Sequence, residues 1–291
     1  MSERLFLRLD EDPTQGPESE APAATLRTLA FDAALGALVA HVLAYRETIA
    51  PGHEVAERVL PDGAVRIVFN LGAGAPNGLD SAAPSAWVIG AQAAPTLVRL
   101  RGTMDGLSVT LRPGLTQALF GLPAGEIEGA GVALADLWRS DAEQLLERLS
   151  RAVDDAARVR TLQIALLRRL RSQQPAAASL VTAASSLMRR SSGQCNVRDV
   201  AAALGVTERR LQQLFHAQVG LSPRTFNRLA RLHGMLRALR RQAMPTSWAE
   251  LAAGAGYYDQ AHLANEFRTL CGLTPGEFMR RTISPSSKTA A

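Results

Sequence analysis

A repeated pattern in the last third of the chain constrains its fold more than any other feature. A shift of 52 residues superposes the motif Leu-x3-Phe-x4-Gly-Leu-[Ser/Thr]-Pro-x2-Phe, which starts at Leu211, on a second copy that starts at Leu263. Before each copy lies a short Ala-rich apolar run that ends near Gly205 or Gly256, with one extra residue in the second turn. Each copy therefore predicts a helix-turn-helix layout, in which glycine takes the left-handed turn conformation that other residues resist.

The second helix of each copy is predicted to bury one face and expose the other. It begins at a capping residue, Thr207 or Asp259. In the first copy Leu211, Leu214 and Phe215 share one arc of roughly 100°. The opposite arc holds an arginine, two glutamines and a histidine, and arginine and glutamine suit guanine and adenine edges in a major groove. The second copy has small alanines on its outward side, so we expect it to contribute less sequence information.

A long helix is predicted between the copies. Ser222 supplies its cap and Pro223 its first turn, and the helix runs to about Arg241. Its 19 residues, at about 1.5 Å each, span roughly 28 Å, close to the roughly 34 Å between successive major grooves on one face of B-DNA. Such a connector can hold two helices on adjacent turns of one duplex. Its arginines are candidates for phosphate contact or for an ordinary solvated face.

The charge distribution favours contact between this half and a polyanion. The 291-residue chain carries 32 Lys and Arg against 27 Asp and Glu, a net charge of +5. Residues 176–291 hold 15 basic and 6 acidic residues, a net of +9, whereas residues 1–175 have a net of −4. The excess positive charge therefore lies in the half that contains the repeat, as expected of a segment that binds nucleic acid.

The first half of the chain has a different pattern. Between residues 45 and 112, short apolar runs alternate with turns such as Pro61-Asp62-Gly63, which predicts an antiparallel, β-rich domain. Residues 10–24 are acidic and proline-rich, and predict a mobile tail. An apolar period of roughly 3.6 predicts one helix from Leu26 to Val42 and two helical stretches between residues 134 and 170. The leucines of the latter fit either a dimer seam or a packing surface against the β domain.

The motifs of the repeat resemble a known family. Leu-Gln-x-Leu-Phe-x4-Gly-Leu-Ser-Pro from Leu211, and Ala-Gly-Tyr-Tyr-Asp-Gln-Ala-His-Leu from Ala255, are similar to the DNA-binding domain of AraC/XylS bacterial transcription regulators, over residues 178–282. The resemblance implies two helix-turn-helix subdomains that insert into neighbouring major-groove segments. It places base reading on Arg209, Gln212, Gln213, Gln260, His262 and Asn265. The candidate phosphate contacts are Thr207, Arg224, Arg228 and Arg268.

The first half is similar to the sensor half of one branch of the same family. The recurring words are Tyr45-Arg46-Glu47, Leu60-Pro61-Asp62-Gly63, Phe69-Asn70-Leu71-Gly72, Gly90-x-Gln92 and Leu111-Arg112-Pro113-Gly114. This resemblance covers roughly residues 40–170 and implies a cupin-like β domain followed by a helical dimerisation element. It implies no particular effector, because such sensor domains differ in their ligands.

Together these patterns predict an α+β protein of two domains. We expect a mobile tail over residues 1–24, a β-rich, cupin-like effector-binding domain over 25–133 and a helical dimerisation or linker element over 134–175. An all-α DNA-binding domain with two helix-turn-helix subdomains follows over 176–283, and a second tail over 284–291. The residues that bind the effector stay unassigned.

Other kinds of site have weaker support. His53-Glu54 suggests a cupin metal site, but no second histidine lies within the required few residues. Residues 72–78 are glycine-rich, yet Pro76 and the spacing favour a hairpin loop over a dinucleotide site. Cys271 lies in a packing motif, which favours a buried thiol over a redox sensor. Because no nucleophile motif or Cys/His cluster is present, we expect no catalytic residue, no metal and no cofactor.

The predicted function is a sequence-specific, effector-responsive transcription regulator and not an enzyme. Its expected partners are double-stranded promoter DNA, a small-molecule effector, RNA polymerase and a second copy of the chain. With two cysteines and no apolar stretch of about 18 residues, we expect a cytoplasmic protein without a membrane partner. Two alternatives stay open: a regulator whose N-terminal domain serves only dimerisation or partner contact, and a cupin-type enzyme with an appended DNA-binding domain.

Overall fold

The N-terminal domain consists of two open sheets. The computed structural model describes residues 3–7, 18–22, 25–74, 84–170, 178–241 and 247–282. The described strands are β1 (Glu3–Leu7), β2 (Glu18–Ser19), β3 (Leu26–Thr28), β4 (Val39–Thr48), β5 (Val55–Val59), β6 (Arg66–Asn70), β7 (Ser85–Ile89), β8 (Thr96–Leu100), β9 (Thr103–Leu111) and β10 (Gly131–Ala133). The first sheet has the order β2-β1-β5-β8 and the second the order β10-β7-β6-β9-β4-β3.

The central strands of the second sheet bury their alternating apolar residues. In β6, Ile67 and Phe69 are fully buried, and they pair with Val109 and Leu107 of β9. β1 and β5 pair in parallel, whereas the other described pairings are antiparallel. This period of two is what the short apolar runs between residues 45 and 112 predict, so the β-rich domain is confirmed.

The helix predicted from Leu26 to Val42 is wrong. This segment contains β3, a single short helix, α1 (Ala33–Gly36), and the start of β4. β3 pairs with β4, and β4 pairs with β9 from its first residue to its last, so the backbone hydrogen bonds go to the sheet. The residues of the predicted period include Ala33 and Ala37, which are exposed, whereas Leu35 and Leu38, which lie outside that period, are buried.

The mobile tail predicted over residues 1–24 is contradicted at its beginning. β1 lies in the first sheet beside β5, and its Leu5, Phe6 and Leu7 are buried. Arg4 of this strand donates from Nη1 to both carboxylate oxygens of Glu47, each at 2.8 Å. The prediction of a tail rests on the acidic, proline-rich composition of residues 10–24. That composition does not apply to the five residues of β1, which precede it. Residues 8–17 and 23–24 lie outside the described part of the chain.

A helical element follows the last strand, β10, over part of the predicted range 134–175. Its members are α3 (Leu134–Trp138), α4 (Ser140–Ser150) and α5 (Asp155–Leu170), and two shorter helices, α2 (Thr116–Phe120) and a 3-10 helix (Ala124–Ile127), precede β10. Residues 134–170 form three helices where two stretches were predicted, because the backbone breaks at Arg139 with a left-handed φ of 53°. Leu145, Leu149, Leu162 and Leu166 are buried in the core of the chain itself. Of the two interpretations of this leucine pattern, packing against the protein's own core accounts for these four side chains.

The C-terminal domain is entirely helical in its described residues. Its helices are α6 (Ala178–Arg190), α7 (Val197–Ala203), α8 (Glu208–Gln218), α9 (Pro223–Arg241), α10 (Trp248–Gly254), α11 (Gln260–Cys271) and α12 (Pro275–Thr282). The predicted long helix between the copies is α9, with its predicted ends. The α+β architecture of two domains is therefore confirmed. None of the described helices is long and apolar enough to cross a membrane.

Candidate functional site

The two copies of the repeat form two units with the same turn. We call α7 with α8 the first unit and α10 with α11 the second unit, and α8 and α11 their reading helices. Gly205 and Gly256 adopt left-handed φ angles of 68° and 76°. Their N–H groups donate to the carbonyls of Ala202 and Ala253, both at 3.1 Å. The glycine turn that the sequence predicts is thus present in both units.

Caps and aromatic pairs complete the shared skeleton. Oγ1 of Thr207 accepts from the N–H of Arg210 at 3.2 Å, and Oδ1 of Asp259 accepts from the N–H of His262 at 2.7 Å. The phenylalanines of the motif pack edge to face at 5.6 Å and 5.4 Å between ring centroids, in the pairs Phe215–Phe226 and Phe267–Phe278. The residues that repeat in the sequence are therefore those that build each unit.

The first unit exposes the reading face that the sequence predicts for α8. The apolar side of this helix, which begins at Leu211, is buried. Arg209, Gln212 and Gln213 are exposed on the other side. Arg209 lies in the first turn of α8, the end of a recognition helix that approaches base edges. These three side chains are placed together on one accessible helix face.

The second unit exposes a different set of groups. Gln260, His262 and Asn265 are exposed on α11. The His262 ring packs edge to face against Tyr257 at 5.5 Å, and its Nδ1 accepts from the N–H of Tyr258 at 3.3 Å. Because Nδ1 accepts, the neutral ring carries its proton on Nε2, which makes the other nitrogen a donor. His262 therefore braces the turn while it offers one donor.

Tyr258 is a candidate contact that the sequence reasoning missed. It is the extra residue of the second turn, it directly precedes the Asp259 cap, and its side chain is 92% exposed. A large aromatic residue beside a reading helix can contribute both a ring face and a hydroxyl. The signal in the sequence was the single inserted residue between Gly256 and Asp259, which the shorter turn from Gly205 to Thr207 lacks.

The four candidate phosphate contacts lie in different surroundings. The hydroxyl of Thr207 caps α8, and Arg224 and Arg268 are exposed. Arg228 of α9 donates from Nε to both carboxylate oxygens of Glu266 on α11, each at 3.0 Å, and its Nη2 lies 2.7 Å from Oε1. This hydrogen-bonded carboxylate raises the pKa of Arg228. The guanidinium of Arg228 thus ties the connecting helix to the second reading helix.

The end of the first reading helix lies against the N-terminal domain. His216, the last outward residue of α8, approaches Gly125 of the 3-10 helix so closely that its imidazole occupies the space of a side chain there. Oγ1 of Thr116 donates to the backbone carbonyl of Gln218 at 3.4 Å. A Cβ on Gly220 would lie 2.9 Å from the carbonyl oxygen of Ala124. No local pattern predicts this contact, since its two sides are about 90 residues apart in the chain.

The end of the second unit and the helix that follows it, α12, contact the N-terminal domain elsewhere. Arg281 of α12 donates from Nη1 to Oε1 of Glu3 on β1 at 3.0 Å. Gly272, which ends α11 with a left-handed φ of 67°, packs against Arg58 of β5 and Pro95. Both units therefore touch the N-terminal domain, the first through short helices and the second through the first sheet.

A cavity of about 410 Å³ lies between the two sheets. Alternate residues of the strands line it, as expected of side chains on one face of a sheet. Its aromatic residues are Phe6, Tyr45 and Trp87, and its charged residues are Arg46, Glu47, Glu57, Asp62 and Arg66. A volume of this size fits a small organic molecule. Sequence reasoning left the effector-binding residues unassigned, because the lining comes from strands that are far apart in the chain.

One turn joins the wall of the cavity to the DNA-binding domain. Pro61 and Asp62, in the predicted Pro-Asp-Gly turn, line the cavity. The carbonyl of Pro61 lies 3.0 Å from Nε2 of His233, in the middle of α9. A Cβ on Gly63, which has a left-handed φ of 68°, would lie 3.0 Å from Leu229 of the same helix. This turn is therefore in contact with both the cavity and the helix that connects the two units.

The weaker candidate sites have structural explanations. His53 is exposed and its Nδ1 lies 3.3 Å from the carbonyl of Pro51, while Glu54 pairs with two arginines. The described residues hold no group of three or more His, Cys, Asp or Glu side chains that could bind a metal ion. A Cβ on Gly72 would collide with the backbone of β9, so glycine is required there for packing; residues 75–78 lie outside the described part. Cys271 is fully buried, and burial raises the pKa of its thiol.

Sequence comparisons divide the chain in the same way. Residues 200–281 match a family described as "Helix-turn-helix domain", and residues 28–133 match one described as "Domain of unknown function (DUF6597)". A comparison with curated proteins finds no match.

Three solved structures illustrate the structural likeness. The chain is similar to ToxT from Vibrio cholerae O395, with 8% identity, a TM-score of 0.43, and coverage of 89% of this chain and 99% of that chain. It is also similar to unsaturated fatty acid bound wild-type ToxT from Vibrio cholerae strain SCE256, with 11% identity, a TM-score of 0.42, and coverage of 82% of this chain and 94% of that chain. The likeness to the AraC-like transcriptional activator CuxR has 16% identity, a TM-score of 0.24, and coverage of 73% of this chain and 79% of that chain.

The match over residues 200–281 coincides with both units of the repeat and the long helix between them. Within it lie the left-handed glycine turns, the capping residues and the paired phenylalanines described above. The C-terminal part of this chain, over residues 200–281, is a helix-turn-helix domain.

Proposed function

We propose that this protein is a sequence-specific transcription regulator that binds double-stranded promoter DNA. The observation that carries the proposal is the pair of exposed reading faces on one skeleton. Arg209, Gln212 and Gln213 face outward from the first unit, and Gln260, His262 and Asn265 from the second. The two units are joined by the 19-residue helix α9, whose length of roughly 28 Å suits adjacent major-groove segments.

Base reading would be concentrated in the first unit. Arginine makes paired hydrogen bonds to guanine, and glutamine makes them to adenine. The first reading helix exposes one such arginine, Arg209, and two such glutamines, Gln212 and Gln213. The second unit would contribute fewer base contacts and more backbone contacts. Thr207, Arg224, Arg228 and Arg268 are the proposed phosphate contacts, although Arg228 would first have to leave Glu266.

The N-terminal cavity would bind a small effector that changes DNA binding. The support is continuity: Pro61 lines the cavity and contacts α9, and residues 129–131, which also line it, follow the 3-10 helix that contacts α8. An effector acts only if it prefers one arrangement of these segments over another. We infer that the effector shifts the position of the first unit relative to the second.

We further propose a cytoplasmic homodimer that meets RNA polymerase at promoters, with a cupin-like sensor in each subunit. Two apolar side chains of the helical element stay exposed, Val153 at 92% and Ile164 at 51%. They give a second copy an apolar point of contact, while the neighbouring leucines pack within the chain. Sedimentation at several protein concentrations measures the association, and a Val153→Asp/Ile164→Asp variant is expected to be monomeric.

The direct test is to map the genomic fragments that the purified full-length protein binds. We expect enrichment of promoter regions that share a site of two segments about one helical turn apart. The triple variant Arg209→Ala/Gln212→Ala/Gln213→Ala should fold and lose the enrichment. Fragments enriched without a shared site, or the same fragments with the triple variant, would contradict the assignment of the reading helix.

The contact between His216 and Gly125 offers a test of the effector response. Gly125→Ala places a methyl group where the imidazole lies and should release the end of α8. Gly254→Ala is the matched control, because nothing lies within 4 Å of the added methyl. We expect Gly125→Ala to change the DNA affinity of the ligand-free protein severalfold, measured by fluorescence anisotropy. Equal affinities for the two variants would show that the contact plays no part in DNA binding.

A further inference from the structure

The charged side chains on the cavity wall are almost all paired with one another. Arg46 pairs with Asp105 and Asp155 at 3.1 Å and 2.6 Å. Asp62 pairs with Arg66. Glu47 receives both of its hydrogen bonds from Arg4. The three pairings leave one charged group of the wall, Glu57, to be accounted for.

Glu57 lines the cavity, and among the described residues it has no hydrogen-bonding or ion-pair partner of its own. It stands on β5 beside Arg4 of β1, but Arg4 gives its hydrogen bonds to Glu47, so one guanidinium serves two carboxylates. No side chain in the described part of the protein donates a hydrogen bond to Glu57. Burial raises the pKa of Glu57, Arg4 lowers it, and Glu47 raises it by a smaller amount, so that the pKa is about 7. An acidic group is thus held at a half-buried position, close to the charge of Arg4 but without a hydrogen bond from it.

The same wall offers little to an anionic ligand. Both of its arginines, Arg46 and Arg66, are engaged by carboxylates. Nε of Arg66 has no acceptor in the described residues, yet this atom is shielded from the cavity space. Phe6, Tyr45 and Trp87 add aromatic surfaces, which attract cations over their faces. The cavity therefore combines an unpaired carboxylate with an apolar, aromatic lining.

We propose that the cavity binds a small organic cation, an amphipathic amine whose ammonium group pairs with Glu57 and whose apolar body lies against the aromatic walls. This inference rests on the proposed function of the cavity as the effector site. The amine supplies the hydrogen bonds that Arg4 gives to Glu47 instead of Glu57, and a positive charge within the cavity. Since Glu57 must be ionised for this pairing, binding is linked to its deprotonation.

The position of Glu57 connects the ligand to the DNA-binding domain. β5 carries Glu57 on its inner side and Arg58 on its outer side, and Arg58 packs against Gly272 at the end of α11. β5 then leads into the turn at Pro61, which contacts α9. An ammonium group drawn to Glu57 consequently acts on the strand that touches both halves of the DNA-binding domain.

The test uses three probes of the same shape: 1-naphthylmethylamine, 1-naphthylmethanol and 1-naphthoate. Titration calorimetry with the full-length protein at pH 8 should give the order amine, alcohol, carboxylate, with at least a tenfold difference between the first and the last. Between pH 6 and pH 8 the amine affinity should rise about tenfold, because Glu57 ionises over this range. The alcohol affinity should stay constant.

Glu57→Gln keeps the shape of the side chain and removes its charge. We expect it to weaken amine binding at least tenfold and to leave alcohol binding within twofold, which also shows that the cavity is intact. Glu143→Gln, an exposed position on α4, is the control with the same change in net charge. A carboxylate that binds more tightly than the amine, equal amine affinities for the two variants, or no binding by any probe would overturn the proposed ligand class.

Failure of this inference is distinguishable from failure of the proposed function. DNA affinity is measured by anisotropy on the same preparations without probe. A protein that binds its site while preferring the alcohol or the carboxylate is still a regulator, with a ligand of another class. A protein that binds the amine through Glu57 but no DNA retains the cavity chemistry and loses the regulatory role.

Discussion

The two helix-turn-helix units share their skeleton and differ in what surrounds it. Both have the left-handed glycine, the cap and the edge-to-face phenylalanine pair. The first reading helix carries Arg209 and two glutamines and ends against the N-terminal domain at Gly125. The second carries smaller outward groups and is tied to the connecting helix by the pair of Arg228 with Glu266. The residues that repeat thus determine how each unit folds, whereas the exposed residues differ between the two units.

This difference suggests a division of labour. The first unit has the chemistry to read bases and also has the contacts through which the N-terminal domain can move it. The second unit is held against the connecting helix α9 by an ion pair, so we expect it to bind DNA in a fixed position. The comparison can be broken or sharpened by matched substitutions in the two units.

The largest expected effect comes from the shared skeleton. Phe215 and Phe267 are both almost completely buried, so Phe215→Ala and Phe267→Ala should each lower the free energy of unfolding by about 3–5 kcal/mol. Denaturant unfolding followed by circular dichroism measures the loss. Gln144→Ala, at an exposed position on α4, is the control and should change little. A much smaller loss for one phenylalanine would mean that the two units are not equivalent in their cores.

The next effect separates the two reading faces. Arg209→Ala should weaken binding to the preferred site by about 1–3 kcal/mol and relax the preference at one base position. Asn265→Ala should cost less than about 1 kcal/mol, because the second unit reads fewer bases. Anisotropy titrations over sites with single base changes measure both. A larger loss for Asn265→Ala would reverse the proposed division of labour.

Much of the fold follows from the sequence alone because the informative residues are close together. The caps Thr207 and Asp259, the glycine turns and the Pro223 start of the long helix act over four or five residues. The helix predicted from Leu26 to Val42 is wrong because small residues such as Ala33 and Ala37 fit a helical period without being buried, and the pairing of β4 with β9 overrides it. Strand pairing between residues about 60 positions apart leaves no local signal.

In the candidate site, too, the features that depend on nearby residues could be predicted and those that depend on distant residues could not. Exposure of Arg209, Gln212 and Gln213 follows from the helical period, since the opposite face must bury Leu211 and its neighbours. The cavity could not be predicted, because its volume depends on the separation of two sheets. The lack of a partner for Glu57 depends on how Arg4 is shared, which no motif records. The contact of His216 with Gly125 depends on the docking of two domains.

A smaller effect tests whether the second unit is braced. The pair of Arg228 with Glu266 is partly exposed, so Arg228→Ala and Glu266→Gln should each lower stability by about 0.2–1 kcal/mol. If the ion pair positions α11, both variants should weaken DNA binding alike and leave its salt dependence unchanged. If Arg228 instead contacts a phosphate, Arg228→Ala alone should reduce, by about one, the slope of the logarithm of the binding constant against the logarithm of the salt concentration. Titrations at three salt concentrations decide between the two.

The smallest expected effect concerns the residue that only the second turn has. Tyr258 is exposed beside the start of α11, where a hydroxyl can donate to a phosphate and a ring can cover the sugar. Tyr258→Phe should weaken binding by about 0.5–1 kcal/mol for one hydrogen bond, equally on all sequences, and Tyr258→Ala should weaken it more. The backbone N–H that donates to His262 stays in place in both variants, so the turn should be unaffected. A change in base preference with Tyr258→Phe would show that the second unit reads sequence through its turn, and the contrast between the units would then lie in where they read.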